Sequence, residues 1–222
     1  MMAVYFVAGT DTGVGKTFCT AALLYAAQKR GRRALGFKPV ACGADESGEN
    51  ADVRILMDAS SRALGYTKHN CYTFRRAAEP HLAAAAEGRE IDLGRLSNGL
   101  DFARWHGEFV LVEGAGGWFA PLNKHHSLAD WVAGQNLPVI MVAGMGEGCI
   151  NHALLTAAAV RSAGLTLAGW IANCANGQPY RLDDYVNALY ERLDAPLLGL
   201  VPHLAGNAQK AADYLAAGRL NI

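Results

Sequence analysis

The chain has 222 residues, and 20 Lys+Arg balance 20 Asp+Glu, so its formal net charge is zero and nothing marks a nucleic-acid partner. No apolar run reaches the roughly 18 residues that span a bilayer, and the first residues lack the basic flank and cleavage site of a signal peptide. The five cysteines, Cys19, Cys42, Cys71, Cys149 and Cys174, are odd in number and form no C-x-x-C pair, so a cytoplasmic enzyme without disulfides, structural zinc or a membrane anchor is expected.

In chain order, an apolar stretch at residues 3–8 runs into Gly9-Thr10-Asp11-Thr12-Gly13-Val14-Gly15-Lys16-Thr17, and an alanine- and leucine-rich segment at 17–28 stops near Gly31. Strand, glycine-rich turn and helix in that order predict a phosphate-binding loop. Backbone N–H groups and the positive helix end cradle phosphates, Lys16 reaches the outer ones, and the Thr17 hydroxyl sits on magnesium. The contacts read from this motif are Gly13, Val14, Gly15, Lys16, Thr17 and Phe18. The spacing is irregular, since five residues separate Gly9 from Gly15 where the usual pattern has four.

Further runs predict strands at 34–40, 109–113, 139–143 and 167–173, after a first at 4–8. Most are nearly continuous apolar runs, the mark of parallel strands covered on both faces. Helical periodicity falls at 52–63 (Val53, Leu56 and Met57 on one face), at 152–162 before Gly164, and at 183–193 (Val186, Leu189, Tyr190 and Leu193). The polar segment 43–50 reads as a surface loop. Alternating strands and helices predict one α/β domain over 1–222, a mostly parallel sheet with helices on both faces.

In such a sheet, ligands bind beyond the carboxyl ends of the strands. Those ends here carry Lys38-Pro39-Val40-Ala41-Cys42-Gly43, Glu113-Gly114-Ala115-Gly116-Gly117-Trp118, Gly148-Cys149-Ile150-Asn151-His152, and Asn173. Lys38, before a proline, reads as a rigid position facing the crevice, with an ordinary surface lysine as the alternative. Glu113 places a charge at the end of an apolar run. Asp52 suits a metal carboxylate and equally a helix N-terminal acid. Gly148, Cys149, Ile150 and Asn151 read as a helix start whose free N–H groups hold an anion. His125 and His126 read as solvated loop residues, and neither Cys42 nor Cys149 has the signature of an activated nucleophile.

These stretches resemble the dethiobiotin synthetase family, as do Pro80-His81, Ala168-Gly169-Trp170 and Pro196-Leu197-Leu198-Gly199, so the likeness runs over nearly the whole chain. The resemblance implies a phosphate-loop hydrolase-like fold and an ATP-dependent cyclo-ligase of biotin biosynthesis. It would join 7,8-diaminononanoate and carbon dioxide (or bicarbonate) into dethiobiotin, giving ADP and phosphate through a carbamate and a carbamic–phosphoric anhydride. It implies catalytic roles for Lys16, Lys38 and Thr12, and a magnesium shell from Thr17, Asp52 and Glu113. Asn173, Pro202 and His203 would meet the adenine base. Thr12, Lys38, Cys42, Gly116, Gly117, Gly148, Cys149, Ile150, Asn151 and Tyr185 would meet the diamine. In the family the helix start and the tyrosine come from a second subunit, so a homodimer with shared sites is implied; Tyr185 equally suits a half-buried helix tyrosine. Alanine at Lys16 or Lys38 is expected to cut turnover by orders of magnitude and leave the fold intact. The chain departs from the family at Gly13, where some relatives carry glutamate, at Cys42, where serine is common, and at Met145-Gly146-Glu147. Two other readings share the loop: a partitioning or positioning ATPase, and a cobyrinate-type amide ligase.

Overall fold

The continuous apolar runs form a parallel sheet. A computed structural model describes residues 2–62 and 64–220. Its strands are β1 (Ala3–Gly9), β2 (Ala34–Phe37), β3 (Val40–Cys42), β4 (Tyr72–Phe74), β5 (Phe109–Glu113), β6 (Val139–Gly144), β7 (Leu167–Asn173) and β8 (Leu197–Val201). Six of them make one sheet in the order β2-β5-β1-β6-β7-β8, with every neighbouring pair parallel. All carboxyl ends therefore point one way. The register Val7↔Glu113 sets the β5 terminus beside the loop that begins at Gly9.

The helices are α1 (Lys16–Lys29), α2 (Ala51–Asp58), α3 (Tyr66–His69), α4 (Pro80–Ala86), α5 (Leu93–His106), α6 (Leu128–Gly134), α7 (Cys149–Ser162), α8 (Leu182–Tyr190) and α9 (Ala208–Ala211), and two 3-10 turns follow α9. Successive side chains of β1 feed opposite faces. Phe6 and Ala8 join a core with α4 to α8, whereas Tyr5 and Val7 join one with α1 and the C-terminal turns. Each fully buried Val, Leu or Phe in these layers contributes about 1.5–3 kcal/mol.

The structure corrects several boundaries. The run 34–40 is two strands. Pro39 has no N–H to give a ladder, so β2 ends at Phe37, and β3 pairs with β4 in a separate two-stranded parallel sheet. The helix expected over 52–63 stops at Asp58. Beyond it the Ser60 and Ser61 hydroxyls accept the Gly36 and Ala34 N–H groups at 3.0 and 2.9 Å, tying this segment to the edge strand β2. Ala63 lies outside the described residues. The helix expected over 183–193 ends at Tyr190. Elements absent from the sequence reading are β4, β8, α3 to α6 and α9. Two of these had legible signals: Leu96, Leu100 and Ala103 form the buried stripe of α5, and Ser127 with Asp130 makes a capping box at α6.

Candidate active site

The loop between β1 and α1 is shaped by what its glycines allow. Gly15 caps α1 at φ 84°, and a Cβ there would stand 2.2 Å from Asn173 Nδ2. Only glycine fits that conformation at that approach. No side chain caps α1, which leaves its first N–H groups for an incoming anion. Lys16 lies along the loop and donates to the Asp11 carbonyl at 3.0 Å. Burial, then the Lys38 charge, lowers its pKa below the ordinary lysine value, a tendency its carboxylate neighbours only partly offset.

Beside it lies a buried charge cluster. Glu113, the last residue of β5, has no exposed surface, and Lys38 is 4% exposed. Lys38 Nζ donates to Glu113 Oε1 at 2.6 Å and to Asp52 Oδ2 at 2.9 Å, while the Thr17 hydroxyl donates to the same Glu113 oxygen at 2.7 Å. The other oxygen, Glu113 Oε2, is buried with no partner among the described residues. Burial opposes the Lys38 charge, but Glu113 and Asp52 outweigh it and raise its pKa. Burial likewise opposes the Asp52 charge, and the Lys38 ammonium overrides it, holding Asp52 below the usual carboxylate value. Asn50 starts α2 by accepting the Asp52 N–H at 3.0 Å, which fixes where Asp52 points.

Thr17, Asp52 and Glu113 suit magnesium by two tests. Their donors are hard oxygens, and Glu113 Oε2 is a buried acceptor without a donor. Among the described residues no group of three or more His, Cys, Asp or Glu gathers to hold a metal. Two carboxylates and a hydroxyl instead suit an ion that keeps phosphate and water ligands.

A cleft of about 700 Å³ opens over this cluster. Of the residues singled out in the sequence, it is lined by Thr12, Gly13, Gly15, Lys16, Thr17, Phe18, Lys38, Cys42, Asp52, Glu113 and Gly116. The sequence reading gave no site role to Ala77, Ala78, Glu79 and Pro80, nor to Ile55, Gly206 and Ala208, which also line it. Burial pushes the Cys42 thiol up to about 11, which makes it a poor nucleophile.

Val14, Gly117, Asn173, Pro202 and His203 do not line this cleft. Asn173, 1% exposed, donates its amide to the Val14 carbonyl at 2.8 Å and so braces the phosphate loop, a role its sequence position did not reveal. His203 Nδ1 lies 2.8 Å from the Ala175 carbonyl, joining the loops that follow β7 and β8. Gly148, Cys149, Ile150, Asn151 and Tyr185 also lie outside the cleft of their own chain. Gly148 (φ 80°) starts α7 with no side-chain cap, and Tyr185 is half-buried against the core.

A family model described as an AAA domain matches residues 3–210. The chain is 48% identical to ATP-dependent dethiobiotin synthetase BioD 1 of Escherichia coli O157:H7, over 94% of each chain. It is also 48% identical to ATP-dependent dethiobiotin synthetase BioD of Aromatoleum aromaticum, over 96% of this chain and 97% of the relative. Among solved structures, a ParA family ATPase from Chlorobium tepidum superposes with TM-score 0.56 at 13% identity, covering 98% of this chain and 92% of that one. The MinD cell division protein of Aquifex aeolicus gives TM-score 0.54 at 15% identity, covering 98% and 95%. At that identity the two structures speak to the fold alone, a phosphate-loop ATPase sheet.

Proposed function

The chain belongs to the ATP-dependent dethiobiotin synthetase family, and from that premise we propose that it closes the ureido ring of dethiobiotin on 7,8-diaminononanoate at the charge cluster around Lys38. The observation that carries this reading is the meeting of the two lysines of the phosphate loop and the β2 end with a wholly buried Glu113 in one cleft.

ATP lies along the loop, with its phosphates on the free N–H groups at the start of α1. Lys16 exchanges the Asp11 carbonyl for the outer phosphates. An amine of the diamine takes up carbon dioxide as a carbamate. A carbamate oxygen attacks the γ-phosphorus and ADP leaves, and the neighbouring amine then attacks the carbamoyl carbon and expels phosphate. No protein nucleophile is needed. The protein holds the partners together, which removes roughly 7–11 kcal/mol of barrier, and aims cations at the transferring group. Lys38 neutralises charge shared by carbamate and γ-phosphoryl, and Thr12, which also lines the cleft, contacts the same reacting groups. When bound to Thr17, Asp52 and Glu113, magnesium would supply Lewis-acid neutralisation of phosphate oxygens. Adenine meets the loops after β7 and β8, near Asn173, Pro202 and His203.

The uncapped start of α7, residues 148–151, and Tyr185 take the substrate carboxylate of a neighbouring copy. The functional unit is then a two-fold dimer with composite sites. None of the described helices is long and apolar enough to cross a membrane.

The reading is tested by ATP turnover with and without diaminononanoate plus bicarbonate. Diamine-dependent ADP and dethiobiotin release supports it, and turnover indifferent to the diamine overturns it. Mixing a Lys16→Ala chain with a Tyr185→Ala chain should restore activity through hybrid sites; no rescue despite subunit exchange overturns the shared site.

A further inference from the structure

The cleft holds three carboxylates, and two are already committed: Asp52 and Glu113 are both bound by the Lys38 ammonium. The third, Glu79, is not. It is exposed on the wall formed by residues 77–80, and no cation or hydrogen-bond donor meets its carboxylate among the described residues. Its oxygens face the glycine turn after β5, where a Cβ on Gly116 would stand 3.4 Å from Glu79 Oε2 and 3.7 Å from Oε1. Glu79 precedes Pro80 at the start of α4, yet its side chain caps no N–H of that helix. Its charge also raises the pKa of the Cys42 thiol, behind burial, which dominates.

A vicinal aliphatic diamine enters such a cleft with at least one nitrogen protonated at neutral pH, because an aliphatic ammonium titrates near 10.4 and only the second charge is disfavoured by the first. The lysines at the phosphate end repel that ammonium. Asp52 and Glu113 already offset the Lys38 charge, so an ammonium arriving there would meet carboxylates whose charge is largely neutralised. We propose that Glu79 is the residue that receives the substrate ammonium and fixes which end of the vicinal diamine faces the phosphates. This inference rests on the diamine reading above. Glu79 selects for amine substrates through a charge-assisted N–H···O contact, and it leaves ATP binding untouched.

The product supplies the control, because dethiobiotin carries a neutral ureido ring where the substrate carries ammonium. Glu79→Gln and Glu79→Asp are compared with wild type for KM and kcat, together with direct binding of diaminononanoate and of dethiobiotin. A hydrogen bond to a charged group sets the scale of the effect, and exposure puts Glu79 at its low end. The Gln variant should raise the KM for diamine about tenfold, with the KM for ATP, dethiobiotin binding and melting temperature unchanged. The Asp variant should recover part of the loss. Equal weakening of diamine and dethiobiotin, or a diamine KM within twofold of wild type, would overturn the assignment. Wild-type protein that fails to turn over diamine at all would instead overturn the reading beneath it.

Discussion

Lys38→Met is the sharpest perturbation of the cluster. It removes the ammonium that Glu113 Oε1 meets at 2.6 Å and strands a carboxylate with no exposed surface, whose other oxygen already lacks a donor. The Thr17 hydroxyl at 2.7 Å remains as its partner. Breaking a buried pair by deleting one member costs about 3–5 kcal/mol, because the survivor stays charged and unpaired. For a chain of this size each kcal/mol moves the melting temperature by about 2–4 °C. The expected loss is therefore roughly 6–20 °C in chelator-treated protein. The double variant Lys38→Met/Glu113→Gln removes the stranded charge and should be more stable than Lys38→Met alone. The assay is thermal unfolding of wild type, the two single variants and the double. A Lys38→Met shift below about 2 °C, or a double variant no more stable than Lys38→Met, would refute the reasoning. The sequence had suggested that alanine at Lys38 would spare the fold; its burial against Glu113 removes that expectation.

Other consequences follow from the same geometry. Asn173→Ala frees the Val14 carbonyl and should raise the KM for ATP by about tenfold, the value of a lost buried hydrogen bond; an unchanged KM would deny the brace. With its thiol at about 11, Cys42 at pH 8 should alkylate with iodoacetamide on the order of a hundredfold more slowly than an ordinary thiol of pKa about 8.5. Mass-mapped labelling at the free-thiol rate would contradict this. Lys16, whose proton is held less tightly in the folded chain, should lose charge as pH rises before ordinary lysines do. kcat/KM for ATP should then fall at a lower pH than the ordinary lysine value, whereas a profile flat through that value would contradict it. The linkage sign is opposite for the two lysines. Unfolded chain binds more protons at Lys16, so its contribution to stability grows as pH rises through the window between its lowered and ordinary values. The contribution of Lys38, whose pKa is raised, is full below the ordinary lysine value and is lost as pH passes the raised one.

Much of this was legible in the chain. The apolar runs gave the parallel strands because both faces are covered, and the glycine loop between strand and helix gave the phosphate site. Glu113 was visible as a charge closing the run Phe109-Val110-Leu111-Val112. What sequence could not supply was distance. Lys38 reads as a crevice lysine, and only the fold brings it between Asp52 and Glu113, 14 and 75 positions away. Asn173 contacts Val14 across 159 positions. Glu79 had no local signal, since a glutamate before a proline marks a helix start as readily as a cleft wall. Pro39 was read as rigidity within one strand, although its missing N–H is what divides the strand in two.

The most direct test of the phosphoryl-transfer account follows oxygen from bicarbonate. With 18O-labelled bicarbonate, diaminononanoate and ATP, an oxygen of the carbamate should appear in the released phosphate at each turnover, before label exchanges with solvent. Phosphate that takes its new oxygen from water while dethiobiotin still forms would contradict the account.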